Sequence, residues 1–411
     1  MANHRQGFLD IGPPRRSNRR WVYVGVAFFA TLILYLAFQP AATNEYVKSA
    51  YDSVKHKVTG DGKNGGSSSS DASRPSRHPI DDGSDTIPNI AHFVYGLKDP
   101  KGDLHFSFDH YLSAYSAWYH CRAHTLYLHT NAGEEALMRA RSGATGRWTK
   151  AIFDIPGFEV KYLDAPTHAG NGREIQYAEH VSDFMRIAGM LDIGGYYIDW
   201  DVFVLRDLAP LRKAGFRGIA GRQMGPYYNS GTFMAAPNSL FVKTWKKMMH
   251  ETFDGSWERH SNVALRDVAK ALVRIPGEML VLDSDAFAPL GWSGDQGIQF
   301  FMPHNDSRPL LETLGWQPEM EHDGPGSPAL GLPEFVEGDE ADKPGWAVDW
   351  SPSYLVHAFM MRRMGGWQVD GFDRVTPKYV LDRQSNLARA VYPIVRDMYY
   401  RGLVKITDGY D

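Results

Sequence analysis

Cysteine is almost missing from this chain. Cys121 is the single one among 411 residues. That excludes an intrachain disulfide and a thiolate zinc site, and an isolated thiol of this kind reads as a buried free cysteine. An excess of positive charge is missing too. Lys and Arg number 44 against 48 Asp and Glu, a formal net charge of -4, which argues against a general nucleic-acid binder. Internal repeats are absent. Residues 39–86 have no sustained apolar periodicity, and their centre, Gly60 to Ser70, has the composition of a flexible linker.

Aromatic residues, by contrast, are plentiful: 11 Trp, 21 Tyr and 21 Phe can furnish a large core. Near the start, Trp21 to Phe38 is an uncharged apolar run of about bilayer-spanning length. Arg5, Arg15, Arg16, Arg19 and Arg20 precede it, with Asp10 the only acid there. The positive-inside rule keeps that end in the cytosol and sends the rest across. A cleaved signal peptide would have a shorter apolar core and a small-residue cleavage site, for which Ala41-Ala42-Thr43 is a weak match. The expected organisation is a basic cytosolic tail (1–20), a transmembrane anchor (21–38), a flexible stem (39–86) and a globular domain (87–411) facing a lumen. Asn305-Asp306-Ser307 is an N-glycosylation sequon.

In the globular part, apolar strands alternate with helical segments. Ile90–Tyr95, Leu126–Thr130 and Phe158–Tyr162 read as strands. Phe106–His120, Glu134–Arg141, Ser239–Thr252, Leu265–Val273 and Ser385–Tyr400 read as helices. This alternation favours a parallel or mixed sheet covered on both faces. Arg173 to Asp192 is expected to form one long helix stopped by Gly194-Gly195. Tyr196 to Val204 is expected to be the central strand, with Tyr197, Asp199 and Asp201 on one face and Ile198 and Trp200 on the other. Residues 300–350, rich in Pro, Gly and acids, read as a long excursion. Tyr354–Phe359 is a last apolar segment.

The chemistry concentrates around Asp199-Trp200-Asp201. Ligands in open α/β sheets bind beyond the carboxyl ends of strands, where these two acids stand. A divalent cation held there can bridge the phosphates of a sugar diphosphate and stabilise the charge that grows on them as the glycosidic bond breaks. Hard oxygen ligands suit Mn²⁺ or Mg²⁺. Asp201, nearer the strand end, is the expected direct ligand, and Asp199 is expected to hold a ribose or sugar hydroxyl. One segment earlier, Asp183 and Arg186 are three apart on a helix and share a face. They either form a local ion pair on a solvated face or offer an acceptor and a donor to sugar hydroxyls.

Residues 181–208, VSDFMRIAGMLDIGGYYIDWDVFVLRDL, resemble the DxD sugar-binding region of glycosyltransferase family 32 and its relatives, which include fungal Golgi α-mannosyltransferases, mannosyl-inositolphosphoceramide synthase catalytic subunits and, more distantly, the glucosylating clostridial toxins. Ile87–Tyr95 is similar to that family's opening strand, Asn229-Ser230-Gly231 to its segment near the donor sugar, and Tyr354-Leu355-Val356-His357 to its late apolar–His segment. The resemblance covers roughly residues 87–360, most strongly 180–235. It implies an α/β fold of GT-A type (a Rossmann-like mixed sheet flanked by helices) over 87–411, a nucleotide-sugar donor, metal dependence and retention of anomeric configuration. By position it implies that Asp183, Arg186 and Asn229 bind the donor sugar. It places Tyr197 near ribose or base, Asp199 on ribose or sugar, Asp201 on the metal, and His357 on the metal or diphosphate. The implied partners are a nucleotide sugar (GDP-mannose ahead of UDP-sugars), a glycan or glycolipid acceptor, and the Golgi membrane through residues 21–38.

Two departures stand out. Trp200 is larger than the middle residue expected of this DxD, and Ala358-Phe359-Met360 follows His357 where a Trp is common. Asp295, in the polar turn Gly294-Asp295-Gln296, either belongs to a plain surface turn or lines the site. Two rival functions are a partner-dependent or non-catalytic subunit with this fold, and a haloacid-dehalogenase-type phosphohydrolase. The latter also ends a strand with Asp-x-Asp but wants Thr or Val where Phe203 stands.

Overall fold

Strands form where apolar runs are bounded by turn residues. Ile90–Tyr95 (β1) and Thr125–Thr130 (β2) are buried along nearly their whole length, as strands covered on both faces must be. The computed structural model describes residues 86–305, 344–359 and 368–411, all within one of the chain's two compact units, Gly65–Asp411. The expected cytosolic tail, the anchor and all of the stem except residue 86 lie outside the described residues, as do most of the 300–350 excursion and two residues of the sequon. Among the described residues no helix is long and apolar enough to cross a membrane.

The remaining strands are Phe158–Tyr162 (β3), Gly195–Ile198 (β4), Val202–Val204 (β5), Gly218–Arg222 (β6), Tyr228–Ala235 (β7), Leu280–Leu282 (β8) and Leu355–His357 (β9). The main sheet has seven strands in the order β3-β2-β1-β4-β7-β6-β8, while β5 and β9 pair separately. It is mixed. β1 lies parallel to β2 and β4, whereas β7 runs antiparallel to both β4 and β6. The longer helices are Phe108–Cys121 (α1), Glu134–Ser142 (α2), Arg147–Phe153 (α3), Ala178–Met190 (α4), Leu240–Thr252 (α5), Ala264–Leu272 (α6), Gly294–Phe301 (α7) and Asn386–Tyr400 (α8).

Alternation along each strand divides the interior into two cores. Phe93, Tyr196, Ile198 and Met234 share one core with residues of α1 and α8, and Val94, Tyr197 and Phe233 share the other with residues of α4, α5 and α6. The mixed sheet flanked by helices is therefore present as expected. Cys121 is buried and free, and burial pushes its thiol up to about 11.

Two expectations are corrected. The helix expected over Arg173–Asp192 spans only α4, because residues 167–175 fold back on themselves through Ala169 N–H to Arg173 O and Ile175 N–H to Thr167 O. The strand expected over Tyr196–Val204 is broken at Asp199, and its second half leaves the main sheet to pair with β9. The antiparallel strands β6 and β7 were not anticipated. Gly194-Gly195 does stop α4: Gly194 N–H bonds Met190 O at 2.9 Å, both residues have positive φ, and a Cβ on Gly195 would strike the Ile90 carbonyl.

Beneath that stop lies a buried histidine pair. His92 Nε2 is 2.8 Å from Gly194 O and its Nδ1 is 2.8 Å from His129 Nε2. The carbonyl only accepts, so His92 carries its proton on Nε2 and His129 donates to His92 Nδ1. Burial pushes both imidazoles down, His129 to about 4 with Lys161 adding, and His92 well below its usual range with His129 adding. The unfolded chain takes up these protons below about 6.5, the folded chain only near 4 for His129. Stability is therefore complete above pH 6.5 and falls as the pH drops. His129 alone should remove about 2 kcal/mol between pH 7 and pH 5. Urea unfolding at the two pH values checks this, and equal or greater stability at pH 5 contradicts it.

Candidate active site

The site is organised by one buried guanidinium. Helix α4 presents Asp183 and Arg186 one turn apart, 8% and 6% exposed, so they are not an ion pair on a solvated face. Arg186 Nη2 lies 3.1 Å from Asp183 Oδ1 and 3.1 Å from Asp199 Oδ1. Its Nη1 donates to Ser230 O at 2.7 Å on β7, and the group lies 4.7 Å over the Tyr197 ring. The Tyr197 hydroxyl donates to Asp199 Oδ1. The second oxygen of Asp183 is 2.8 Å from His260 Nε2.

Charges follow these contacts. Burial opposes ionisation of Asp183, but Arg186 and then His260 outweigh it and hold its carboxyl below the usual range. Burial pushes Asp199 above that range, with the Asp201 charge adding, against the pull of Arg186. Burial also opposes charge on Arg186, yet Asp199, Tyr197 and Asp183 hold the guanidinium firmly protonated.

Asp199 to Val202 is a tight turn rather than a strand. Val202 N–H bonds Asp199 O at 3.0 Å, and Asp199 N–H bonds Gly231 O at 2.8 Å. The Ser113 hydroxyl of α1 lies 2.7 Å from Val202 O and 3.2 Å from Asp199 O. The turn sends Trp200 the other way, where its indole donates to Val94 O at 2.8 Å and its ring stacks on Phe93. Bulk at the centre of the motif is thus accommodated against the core, half-buried.

Pairing of β5 with β9 sets His357 opposite Val202, with Nε2 3.3 Å from Asp201 Oδ1. Its Nδ1 is 2.9 Å from Asn229 Oδ1, which also accepts Gly231 N–H at 2.9 Å. A backbone N–H only donates, so that amide oxygen is fixed as an acceptor and His357 Nδ1 must be the donor. In the neutral imidazole, Nε2 then turns a lone pair towards Asp201. A ring whose far N–H is held by an acceptor is the usual form of a histidine metal ligand. Ligand atoms of Asp199, Asp201 and His357 all lie within 4.8 Å of one another. Two carboxylates and an imidazole suit a divalent ion such as Mn²⁺, so the residues present fit the expected cation, with Asp199 added to Asp201 and His357.

The structure thus brings Asp183, Arg186, Tyr197, Asp199, Asp201, Asn229 and His357 into one connected site. Asp295 stands exposed in the first turn of α7. Sequence reading passed over the Ser230 carbonyl and His260. Neither carries a local signal: one is a backbone atom, and the other meets Asp183 across 77 residues of chain.

The site thus consists of a DXD turn and a carboxylate–arginine pair behind it, set on a mixed sheet, and sequence comparison falls on the same segment. Residues 125–216 match the family model described as a glycosyltransferase sugar-binding region containing the DXD motif. That segment, which includes Asp183, Arg186, Tyr197, Asp199 and Asp201, is a glycosyltransferase sugar-binding region. Among curated proteins the chain is similar to glucan organizing enzyme 1 of Cryptococcus neoformans var. grubii, 28% identical over 224 residues. The match takes in 51% of this chain and spans only 56% of that relative's length. Among solved structures it is similar to PaToxG glycosyltransferase, with 13% identity, TM-score 0.34, 57% of this chain and 79% of that one. It is also similar to the galactosyltransferase LgtC in complex with donor and acceptor sugar analogues, with 16% identity, TM-score 0.29, and 48% and 74% coverage. Likenesses this slight carry no fold assignment of their own.

Gly231 gives a direct test of the cluster. A Cβ there would lie 2.5 Å from His357 Cε1 and 2.8 Å from Asp199 Oδ2, below any tolerable contact. Gly231→Ala should weaken Mn²⁺ binding by about tenfold or more in a chain that still folds, as read by calorimetric titration. Wild-type affinity in that variant would remove Asp199 and His357 from the metal site.

Proposed function

We propose that this chain is a metal-dependent retaining glycosyltransferase that moves a hexose from a nucleotide sugar to a glycan or glycolipid acceptor. The observation that carries this reading is the sharing of Arg186 between Asp183 and Asp199. It joins a cation cluster to a second carboxylate able to take sugar hydroxyls, the geometry a sugar diphosphate needs. In this reading the fold is of GT-A type.

Asp201, Asp199 and His357 would hold the ion, which when bound neutralises the diphosphate and makes it a better leaving group. Asp183 accepts from donor-sugar hydroxyls and Arg186 keeps that carboxylate ionised. Asn229 is fixed through its oxygen, while its Nδ2 has no partner among the described residues and is a donor suited to the sugar or a phosphate. Retention is served by attack from the leaving-group face. The acceptor oxygen bonds to the anomeric carbon, the bond from that carbon to the phosphate oxygen breaks, and the departing phosphate takes the acceptor proton. Positioning and charge stabilisation do most of the work in this route.

Asp199 is a poor match for the free nucleophile a phosphohydrolase would need, since Arg186 and Tyr197 both hold its Oδ1. The name of the Cryptococcus relative supports a glycan acceptor, and resemblance to fungal Golgi transferases favours GDP-mannose. The basic tail and apolar run at 21–38 support a single-pass Golgi membrane protein with its catalytic domain in the lumen.

The full-length protein in detergent should release nucleotide from one of GDP-mannose, UDP-galactose, UDP-glucose or UDP-N-acetylglucosamine, and only with Mn²⁺ or Mg²⁺. Asp201→Ala should bring release down to the metal-free level while circular dichroism stays unchanged. Near-normal release in that variant would sink the metal assignment. Tight donor binding without turnover, restored by a partner chain, would turn the reading to a partner-dependent subunit.

A further inference from the structure

We infer that His260 is a positioning residue for the donor sugar: its imidazole fixes the Asp183 carboxylate in the orientation that receives sugar hydroxyls. The inference rests on the reading of Asp183 as a donor-sugar residue.

Asp183 has two oxygens, and Arg186 holds one of them. The Nη2 of Arg186 is divided between Asp183 Oδ1 and Asp199 Oδ1, and its Nη1 is committed to Ser230 O. Without a second anchor, the Asp183 carboxylate could turn about its Cβ–Cγ bond, and its Oδ2 would be a buried acceptor with no protein donor. His260 Nε2, 2.8 Å from Oδ2, supplies that anchor. An ionised carboxylate only accepts, so the imidazole proton stands on Nε2. Nδ1 of the same ring has no partner among the described residues. An imidazole wholly removed from solvent therefore makes one side-chain hydrogen bond, to Asp183, and leaves its other nitrogen unused.

The surroundings fix the plane of this ring. Phe184 lies parallel to it, with centroids 5.5 Å apart and 7° between planes. Phe253 and His180 meet it edge-on at 5.0 and 4.7 Å. The Trp245 indole holds the backbone through His260 O at 3.3 Å. His260 sits in a single π-helical turn, Arg259–Val263, a form found mostly as isolated turns and often at functional sites. From the same turn, Asn262 Nδ2 donates to Tyr228 O at 2.7 Å, at the start of the strand that carries Asn229 and Ser230. One turn thus pins both Asp183 and the strand that Arg186 bonds.

A histidine that only filled this space would be replaced well by phenylalanine. Affinities of the full-length protein, with Mn²⁺, are measured for the nucleotide sugars named above and for GDP and UDP without sugar. His260→Phe keeps the ring and removes the donor. It should weaken nucleotide-sugar binding by about tenfold, the scale of a lost hydrogen bond to a charged group, and leave nucleoside diphosphate binding unchanged. His260→Gln, which keeps an N–H, should recover much of the loss. In an Asp183→Ala background, His260→Phe should cause no further loss. If His260→Phe does not fold, His260→Ala is compared in the same way. Equal loss for sugar-bearing and sugar-free nucleotides would make His260 merely structural, and no loss for either would also overturn the inference. A wild-type protein that binds free nucleotides but no nucleotide sugar would instead overturn the reading of Asp183, and with it this inference.

Discussion

Arg186 is the constraint on which the rest of the site depends. A guanidinium removed from water must be paired on several sides, since burying a charge without partners is strongly unfavourable. Here the partners come from three elements: Asp183 on its own helix, Asp199 in the turn after β4, and the Ser230 carbonyl on β7. The contacts tie helix α4 to the turn after β4 and to β7. Truncating Arg186 would leave two carboxylates close together without the charge between them.

The same contact orders the chemistry. Asp199 faces Arg186 on one side and the cluster with Asp201 and His357 on the other. A cation in that cluster and the guanidinium would share Asp199 between them, so positive charge flanks the place where a diphosphate would lie. Burial raises Asp199, and a neighbouring cation is what would reverse that. The donor reading thus rests on electrostatics set by the fold rather than on the DxD spacing alone, a pattern that recurs by chance.

Much of this was legible because it is local. Asp183 and Arg186 are three apart on a helix, Asp199 and Asp201 two apart in a turn, and the apolar runs of β1 to β3 carry their own signal. The strand breaking at Asp199 was not legible. Tyr196–Val204 has the composition of one strand, and only the hydrogen bonds of Val202 and Gly231 reveal a turn. Strand β6, Gly-Ile-Ala-Gly-Arg, and strand β7, with Asn229, Ser230, Gly231 and Thr232 in its centre, lack the β-branched alternation by which strands are read. Their burial comes from neighbours on the sheet. His260 was silent for the same reason: its partner is 77 residues away, and a π-helical turn has no sequence period to detect.

The central claim is that Asp199, Asp201 and His357 hold a divalent cation beside Arg186. Anomalous diffraction from crystals grown with Mn²⁺ and a nucleoside diphosphate tests it most directly. The account expects one manganese peak within about 2.0–2.3 Å of the carboxylate and imidazole ligand atoms, with diphosphate oxygens on its open side. A bound nucleotide with manganese elsewhere, or with none, would contradict it.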